Sequence, residues 1–147
     1  MPTLSPIYET RATTVTPCMN CAVPGYMIVQ PKQLVARIGQ APEFATELGD
    51  ILSRLEHALL SPTGATRIYI LRFSETHSSV HFHVFPRTEE MAARYIQAMR
   101  RLPGQIIGPE LFEWARQDFY FADARQMPRE IADMAERISR LMQSPDV

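Results

Sequence analysis

The sequence predicts an α+β protein in which a five-stranded, mainly antiparallel sheet carries packed helices. Two observations support this prediction. Short β-rich segments separated by turn residues fill much of the first part of the 147-residue chain, and segments with apolar residues at helical spacing lie between and after them. The length suits one compact domain. We therefore expect a single domain over residues 1–147, with a core of about residues 7–100 and a C-terminal helical extension of about residues 103–143.

The strands are predicted from β-branched and aromatic residues between turn signals. Five segments fit this description: residues 7–9, 13–16, 26–30, 67–73 and 80–85. The first two are joined by a short polar connection and form a predicted hairpin. The third is apolar on both faces, as expected for an interior strand. The last is predicted to end at Pro86, because proline has no N–H to donate to a sheet.

The helices are predicted from apolar residues that recur every three or four positions. The first contains Phe44 to Leu59, begins near Pro42 and ends at Pro62-Thr63-Gly64. Thr88 is a predicted N-cap for the second. Gly108-Pro109 opens a third, shorter helix, and residues 131–141 form a fourth.

Composition excludes several classes of partner. The formal net charge is −1 and 46% of residues are hydrophobic, so no field of one sign indicates nucleic acid or a membrane surface. The first residues lack the basic and apolar pattern of a secretory signal, and the apolar runs are too short to span a bilayer. We expect a cytoplasmic protein, in which Cys18 and Cys21 are thiols or metal ligands.

The last predicted strand carries the residues with the clearest chemistry. Side chains alternate between the two faces of a strand. One face carries Ser79, His81, His83 and Phe85, and the other carries Val80, Phe82 and Val84. The apolar face should meet the helices. The two imidazoles of the polar face are expected about 6–7 Å apart, given a rise of about 3.3 Å per residue.

Three interpretations of this histidine pair are open from the residues alone. The pair can act on one phosphate, with one imidazole as nucleophile and the other as acid or anchor, and a neighbouring imidazolium can stabilise developing charge. It can also bind a metal such as zinc, because His-x-His on a strand suits such sites. The third possibility is a solvent-facing pair with no chemical role.

The surrounding residues favour phosphate. Residues 80–87 (Val-His-Phe-His-Val-Phe-Pro-Arg), preceded by residues 24–32 (Pro-Gly-Tyr-Met-Ile-Val-Gln-Pro-Lys), resemble the histidine-triad (HIT) superfamily over residues 7–87. In that family three alternating histidines lie on one strand, and the middle one attacks the α-phosphate of a nucleotide. The resemblance places His81 on the middle position and His83 on the last.

The chain departs from the family pattern at three places. Ser79 stands at the position of the first histidine, although its hydroxyl can still donate to phosphate. The glycine-rich phosphate loop is shortened to residues 73–78, which contain no glycine. Cys18 stands at the position of the aspartate that holds the ribose. The resemblance then implies the following substrate-binding residues: Ser79, Thr76, His77, Ser74, Cys18 and Met19.

The resemblance implies a nucleotide hydrolase or transferase that acts at an α-phosphate through a covalent histidine intermediate. The substrate would be of the diadenosine polyphosphate or nucleoside phosphoramidate type, and His81 and His83 would be catalytic. Two alternatives remain: a non-catalytic nucleotide-binding or scaffold protein, and a metal-dependent enzyme that uses the two histidines. No cofactor is expected. A homodimer is expected, from an exposed sheet edge and from apolar area in the aromatic cluster near Trp114.

Two further features have plain interpretations. Cys18-Met19-Asn20-Cys21 could hold zinc with two histidines, but the histidines used by zinc-binding family members fall on Leu34 and Ser79, so no metal is expected. His57 lies on the first helix and is expected to be a solvated surface residue.

Overall fold

The five strands form one sheet, as predicted. The computed structural model describes residues 5–144 and contains β1 (Tyr8–Glu9), β2 (Thr13–Pro17), β3 (Met27–Pro31), β4 (Arg67–Leu71) and β5 (Phe82–Arg87). The strand order is β1-β2-β3-β5-β4, and every neighbouring pair is antiparallel. Residues 1–4, which belong to the segment predicted not to be a secretory signal, and residues 145–147 lie outside the described residues.

Within residues 5–144, four α-helices accompany the sheet, so the predicted α+β class is confirmed. They are α1 (Pro42–Thr63), α2 (Glu89–Ala98), α3 (Gly108–Asp118) and α4 (Arg129–Gln143). The hydroxyl of Thr88 accepts a hydrogen bond from the N–H of Met91 at 3.1 Å, which makes Thr88 the N-cap that the sequence predicts. Gly64 has φ +69° at the end of α1, a conformation that glycine adopts without strain.

The bounds of β5 differ from the prediction. The strand begins at Phe82 and continues through Pro86 to Arg87, and Pro86 is paired with Ile68 of β4. On its other side β5 pairs with β3 only from Phe82 to Val84. Beyond Val84 the strand has one sheet neighbour, like an edge strand, and a residue without an N–H is tolerated there.

Helices cover both faces of the sheet. On one face, buried residues of α1 and α4 pack against the alternate residues Val80 and Val84 and the half-buried Phe82, so the predicted apolar face does meet helices. On the other face, Phe85 packs with Tyr26 of the preceding turn and with Phe112 of α3. The histidines lie on this second face, beside the helices of the C-terminal third.

The C-terminal third is attached directly to the loop before β3. The N–H of Ala22 donates to the carbonyl of Phe119 at 2.7 Å, and the N–H of Phe121 donates to the carbonyl of Asn20 at 3.1 Å. These bonds flank an isolated antiparallel bridge between Cys21 and Tyr120. The end of α3 is therefore fixed to the loop that contains both cysteines.

Gly25 is required by close packing at the start of β3. Its φ is +85°, and a Cβ at this position would lie 2.6 Å from Cγ2 of Thr63 on α1. Any larger residue would be strained by its own backbone and would collide with the helix. Among residues 5–144, no helix has the length and apolar character needed to cross a bilayer.

Candidate active site

The histidines line a cavity of about 500 Å³ on the face of the sheet that α3 covers. Six of the predicted site residues line it: Cys18, Ser74, Thr76, His77, His81 and His83. Eight further residues complete the wall: Asn20, Tyr26, Ile28, Gln30, Phe73, Glu75, Glu113 and Arg116. The predicted residues Met19 and Ser79 are not among the lining residues.

His81 is held in one tautomer by the backbone. It lies directly before β5 and is 8% exposed. Its Nδ1 is 2.8 Å from the carbonyl oxygen of Ser79. A carbonyl oxygen only accepts, so Nδ1 carries the proton and donates it, and Nε2 is left with its lone pair. Within residues 5–144 no hydrogen-bond partner occupies Nε2, which is therefore available to a ligand in the cavity.

His83 lies deeper and is held by a phenol. Its Nδ1 is 2.5 Å from the hydroxyl of Tyr26, which is itself buried. Burial, together with electrostatic interactions with His81, Arg116 and His77, lowers the pKa of His83 to about 4. His83 is therefore neutral at pH 7. In the unliganded protein it can offer a neutral N–H to a phosphate oxygen, but not the positive charge of an imidazolium.

A third imidazole completes a cluster. The ring of His77 stacks on that of His81, with centroids 4.2 Å apart and planes at 26°. The rings of His81 and His83 are 5.1 Å apart, somewhat closer than the 6–7 Å expected from the strand rise alone. His77 belongs to the exposed loop between β4 and β5 and lines the cavity. The loop thus brings a histidine to the site although the first position of the motif is Ser79.

Ser79 takes part in the site through its backbone. Its carbonyl accepts from His81, and the hydroxyl of Ser74 donates to the same carbonyl at 3.4 Å. Ser74 has φ +58°, a left-handed conformation that turns the loop at this point. The side chain of Ser79, which was predicted to bind substrate, is not among the residues that line the cavity, whereas its carbonyl is bonded to His81.

Both cysteines are buried free thiols. Sγ of Cys18 donates to Oδ1 of Asn20 at 3.3 Å, and Sγ of Cys21 donates to the carbonyl of Ala115 at 3.9 Å. Burial raises the pKa of Cys18, and burial together with the neighbouring Cys18 raises the pKa of Cys21 to about 12. Both thiols are protonated at neutral pH. Over the described residues, 5–144, no three His, Cys, Asp or Glu side chains are grouped so as to hold a metal ion.

The aromatic cluster near Trp114 is used inside the chain. The indole ring packs edge-on against Tyr95 at 5.9 Å and against Phe119 at 6.1 Å. Tyr120, which follows Phe119 in the chain, is 61% exposed and presents a large free aromatic surface. The apolar area that was expected to support a dimer is thus mostly covered by the protein's own helices. His57 is exposed on α1, as expected.

Several wall residues were not predicted from the sequence. Tyr26 was assigned only to a strand, and Asn20 only to the Cys-x-x-Cys segment. Glu113 and Arg116 lie on α3, outside the segment that carries the family resemblance. Their spacing along the chain bears no relation to that of the histidines. The contact between α3 and the loop of Cys21 is what brings them to the cavity.

Comparison with known proteins identifies the fold. The chain is similar to a histidine triad protein from Bradyrhizobium japonicum (15% identity, covering 94% of this chain and 90% of that one, TM-score 0.65). It is also similar to a histidine triad protein from Sinorhizobium meliloti (20% identity, 92% and 87% coverage, TM-score 0.59). A third is a hypothetical histidine triad nucleotide-binding protein from Sulfolobus tokodaii (13% identity, 93% and 82% coverage, TM-score 0.59).

The chain therefore has the histidine-triad fold, as the resemblance of its sequence implies. No protein-family model matches the sequence, and no curated protein matches it at a significant level. The coverage of these structures extends to the C-terminal third, beyond the segment recognised by motif.

Proposed function

We propose that this protein is a nucleotide hydrolase or nucleotidyl transferase that acts at an α-phosphate through a covalent intermediate on His81. The observation that carries the proposal is the hydrogen bond from Nδ1 of His81 to the carbonyl of Ser79. It fixes the tautomer in which Nε2 has a free lone pair, on a residue that lines the cavity. A neutral imidazole with this tautomer is a competent nucleophile at pH 7.

The reaction takes two displacements. Nε2 of His81 attacks the α-phosphorus and forms an N–P bond, while the bond from phosphorus to the leaving group breaks and the leaving group keeps the electron pair. A proton from water or from a donor in the cavity such as His77 neutralises the leaving group. A water or another acceptor hydroxyl then attacks phosphorus and loses its proton, and the N–P bond breaks to restore His81.

The phosphate oxygens have several donors in reach of the same cavity. His83 offers a neutral N–H, and the hydroxyl of Thr76 and the ring of His77 lie on the loop between β4 and β5 that lines the same cavity. An oxyanion donor of this kind is often worth about 2.7–4 kcal/mol in the transition state. These donors stand in for the backbone nest of a glycine-rich loop, which residues 73–78 cannot form in the usual way.

The apolar part of the wall suits a nucleobase. Phe73 is 58% exposed and lines the cavity together with Ile28, so it offers a free aromatic face. An apolar wall beside a few convergent polar groups is typical of small-molecule sites. The name of the Sulfolobus tokodaii structure, a nucleotide-binding protein, agrees with a nucleotide as ligand here.

Trapping the intermediate tests the proposal. Diadenosine polyphosphate labelled at the α-phosphate is mixed with enzyme and quenched in alkaline denaturant, because the N–P bond of phosphohistidine hydrolyses in acid. We expect label on His81 and none on His83. The variant His81→Ala should lose turnover, His83→Ala should slow it, and His57→Ala on the exposed surface of α1 should leave it unchanged. Label on His77 or His83, or an active His81→Ala, would refute the mechanism.

A non-catalytic nucleotide-binding protein is the second candidate. It is favoured by the position of the Ser79 side chain, which does not line the cavity. The hydroxyl therefore does not replace the donor that a histidine would supply at this position. Tight binding of a nucleotide with no turnover of any diadenosine polyphosphate or adenosine phosphoramidate would select this alternative.

We also propose that the protein forms a homodimer through β4. This strand lies at one end of the sheet and so has an unpaired side. On β4 the side chain of Ile70 is 40% exposed, and Ile107, directly before α3, is 41% exposed. An apolar sheet edge of this kind invites pairing with a second copy about a two-fold axis.

A further inference from the structure

No polar interaction within the described residues accounts for the guanidinium of Arg116 in the cavity wall. It lies on α3, is half-buried, and lines the cavity. Within residues 5–144 its guanidinium takes part in no ion pair and no hydrogen bond, and it lies 5.6 Å from the ring centroid of Phe112. A guanidinium has five N–H donors in a rigid fork. At this position those donors are open to a ligand.

The position of Arg116 is fixed next to the loop of the cysteines. The residue before it, Ala115, accepts the hydrogen bond of Cys21, and the end of the same helix is paired with Asn20 and Ala22 through backbone bonds. The charge of Arg116 partly opposes the rise that burial causes in the pKa of Cys18, and after burial and His81 it adds to the lowering of the pKa of His83, so its field acts at the loop and at the histidines alike. Arg116 therefore lies at the corner of the cavity formed by that loop.

This corner is rich in donors. The amide oxygen of Asn20 is taken by the thiol of Cys18, which leaves the amide N–H groups of Asn20 to donate. Glu113, one turn before Arg116, is exposed and accepts a hydrogen bond from Gln117. Glu75, the other carboxylate of the wall, is exposed on the loop that precedes β5. A sugar hydroxyl is neutral and both donates and accepts, whereas the charged guanidinium of Arg116 bonds more strongly to an anion.

We infer that this corner binds a second phosphate, carried on the ribose of the substrate nucleotide. The same logic distinguishes dinucleotide enzymes, in which a carboxylate accepts from the free ribose hydroxyl and an arginine accommodates a ribose phosphate. The planar fork of Arg116 can bind two oxygens of such a phosphate, and Asn20 can donate to a third. The inference rests on the proposed function for the identity of the ligand, and it narrows the substrate class to nucleotides phosphorylated at the 2′ or 3′ position.

Equilibrium binding tests this inference without requiring turnover. The affinities of adenosine 3′,5′-bisphosphate and adenosine 2′,5′-bisphosphate are compared with that of adenosine 5′-monophosphate by calorimetry. Charge-assisted bonds of this kind predict that at least one bisphosphate binds about 10- to 100-fold more tightly than the monophosphate. Arg116→Met should abolish that preference, and Arg116→Lys should retain part of it.

Arg94→Met is the matched control. Arg94 pairs with Asp118 at 3.5 Å and lies over the ring of Phe119, and it is not among the residues that line the cavity. It should keep the full preference. Thermal melts show whether each variant is folded. If Arg116→Met does not fold, the affinities of Arg116→Lys are compared with those of the wild type instead.

The outcomes separate this inference from the proposed function. Equal affinity for all three nucleotides, or a preference that survives in Arg116→Met, refutes phosphate binding by Arg116 even if His81 is labelled during turnover. A preference for a bisphosphate that depends on Arg116 supports binding of a ribose phosphate there even if no substrate is hydrolysed. If the wild-type protein binds none of the nucleotides, the inference is wrong as well.

Discussion

The hydroxyl of Tyr26 lies 2.5 Å from Nδ1 of His83, and both side chains are buried. The second neighbour of this hydroxyl is Cys18, whose proximity, after burial, raises the pKa of Tyr26. The thiol proton is directed to Asn20, and sulfur is a weak acceptor. The phenol therefore donates to His83, and the proton of the neutral imidazole is on Nε2. His81 and His83 thus hold opposite tautomers: one presents a lone pair, the other an N–H.

Removal of the Tyr26 hydroxyl should disturb this assignment. In Tyr26→Phe, Nδ1 of His83 has no donor, and we expect both tautomers to be populated. A buried acceptor left unsatisfied costs about 1–3 kcal/mol of stability. Turnover should fall several-fold, because part of the molecules then lacks the Nε2–H that donates to phosphate. Nitrogen chemical shifts of the His83 ring measure the tautomer directly. Tyr69→Phe is a suitable control, because Tyr69 stacks on Phe85 outside the cavity wall. An unchanged His83 spectrum in Tyr26→Phe would contradict the assignment.

The low pKa of His83 should make the fold sensitive to acid. Its pKa is about 4 when folded, against an ordinary value of 6.5, because of burial and then electrostatic interactions with His81, Arg116 and His77. The stabilisation from keeping His83 neutral is complete above pH 6.5 and is lost as pH falls towards 4. The loss can reach about 3 kcal/mol. Urea unfolding between pH 7.5 and 4.5 should show a steeper fall for the wild type than for His83→Asn, while His57→Asn should match the wild type.

Much of the fold could be predicted from the sequence because its signals are local. Alternation placed Val84 and His83 on opposite faces, and the three- and four-residue spacing from Phe44 to Leu59 defined α1. The limits of β5 were less clear, since the tolerance of Pro86 depends on where β3 stops pairing. The extent of this pairing is a property of the assembled sheet, and the sequence of β5 does not indicate it.

The candidate site could be predicted only in part for the same reason. His81 and His83 form a recognisable motif, but Arg116 is an ordinary arginine on an amphipathic helix. Which face of α3 meets the cavity is decided by the pairing of residues 20–22 with residues 119–121, a contact between distant parts of the chain. The carbonyl of Ser79 was also missed, because every residue has one and no sequence pattern selects it.

The buried thiol of Cys21 should destabilise the protein at high pH. Its pKa is about 12 when folded, raised by burial and then by Cys18, against an ordinary value of 9.0. The stabilisation is therefore present below pH 9 and is lost as pH rises towards 12. Relative to Cys21→Ala, the free energy of unfolding of the wild type should fall by about 1.4 kcal/mol per pH unit above pH 9. Parallel denaturant titrations at pH 8, 9.5 and 10.5 measure this difference, and a constant difference would argue against a buried titrating thiol.

Cys18 should make the site weakly selective for an unmodified ribose. A thiol accepts a hydrogen bond poorly, whereas a carboxylate would accept from both ribose hydroxyls. We expect a ratio of turnover for ribonucleotide over deoxyribonucleotide substrates below about 10, with little change in Cys18→Ala. A strong ribose preference that persists in Cys18→Ala would mean that another wall residue, such as Gln30, binds the sugar.

The proposed dimer depends on the edge of β4, so its disruption should not disturb the cavity. The apolar surface near Trp114 is largely occupied within the chain, which leaves the strand edge and exposed residues such as Ile70 as the basis for association. Ile70→Lys adds a charge there, and charged side chains are a common means of preventing edge pairing. We expect light scattering to report a dimer for the wild type and a concentration-dependent shift to monomer for Ile70→Lys. Leu34→Lys provides a control, because Leu34 is 88% exposed in the segment between β3 and α1. A wild-type monomer at every concentration, or a dimer weakened equally by both substitutions, would place the interface elsewhere or remove it.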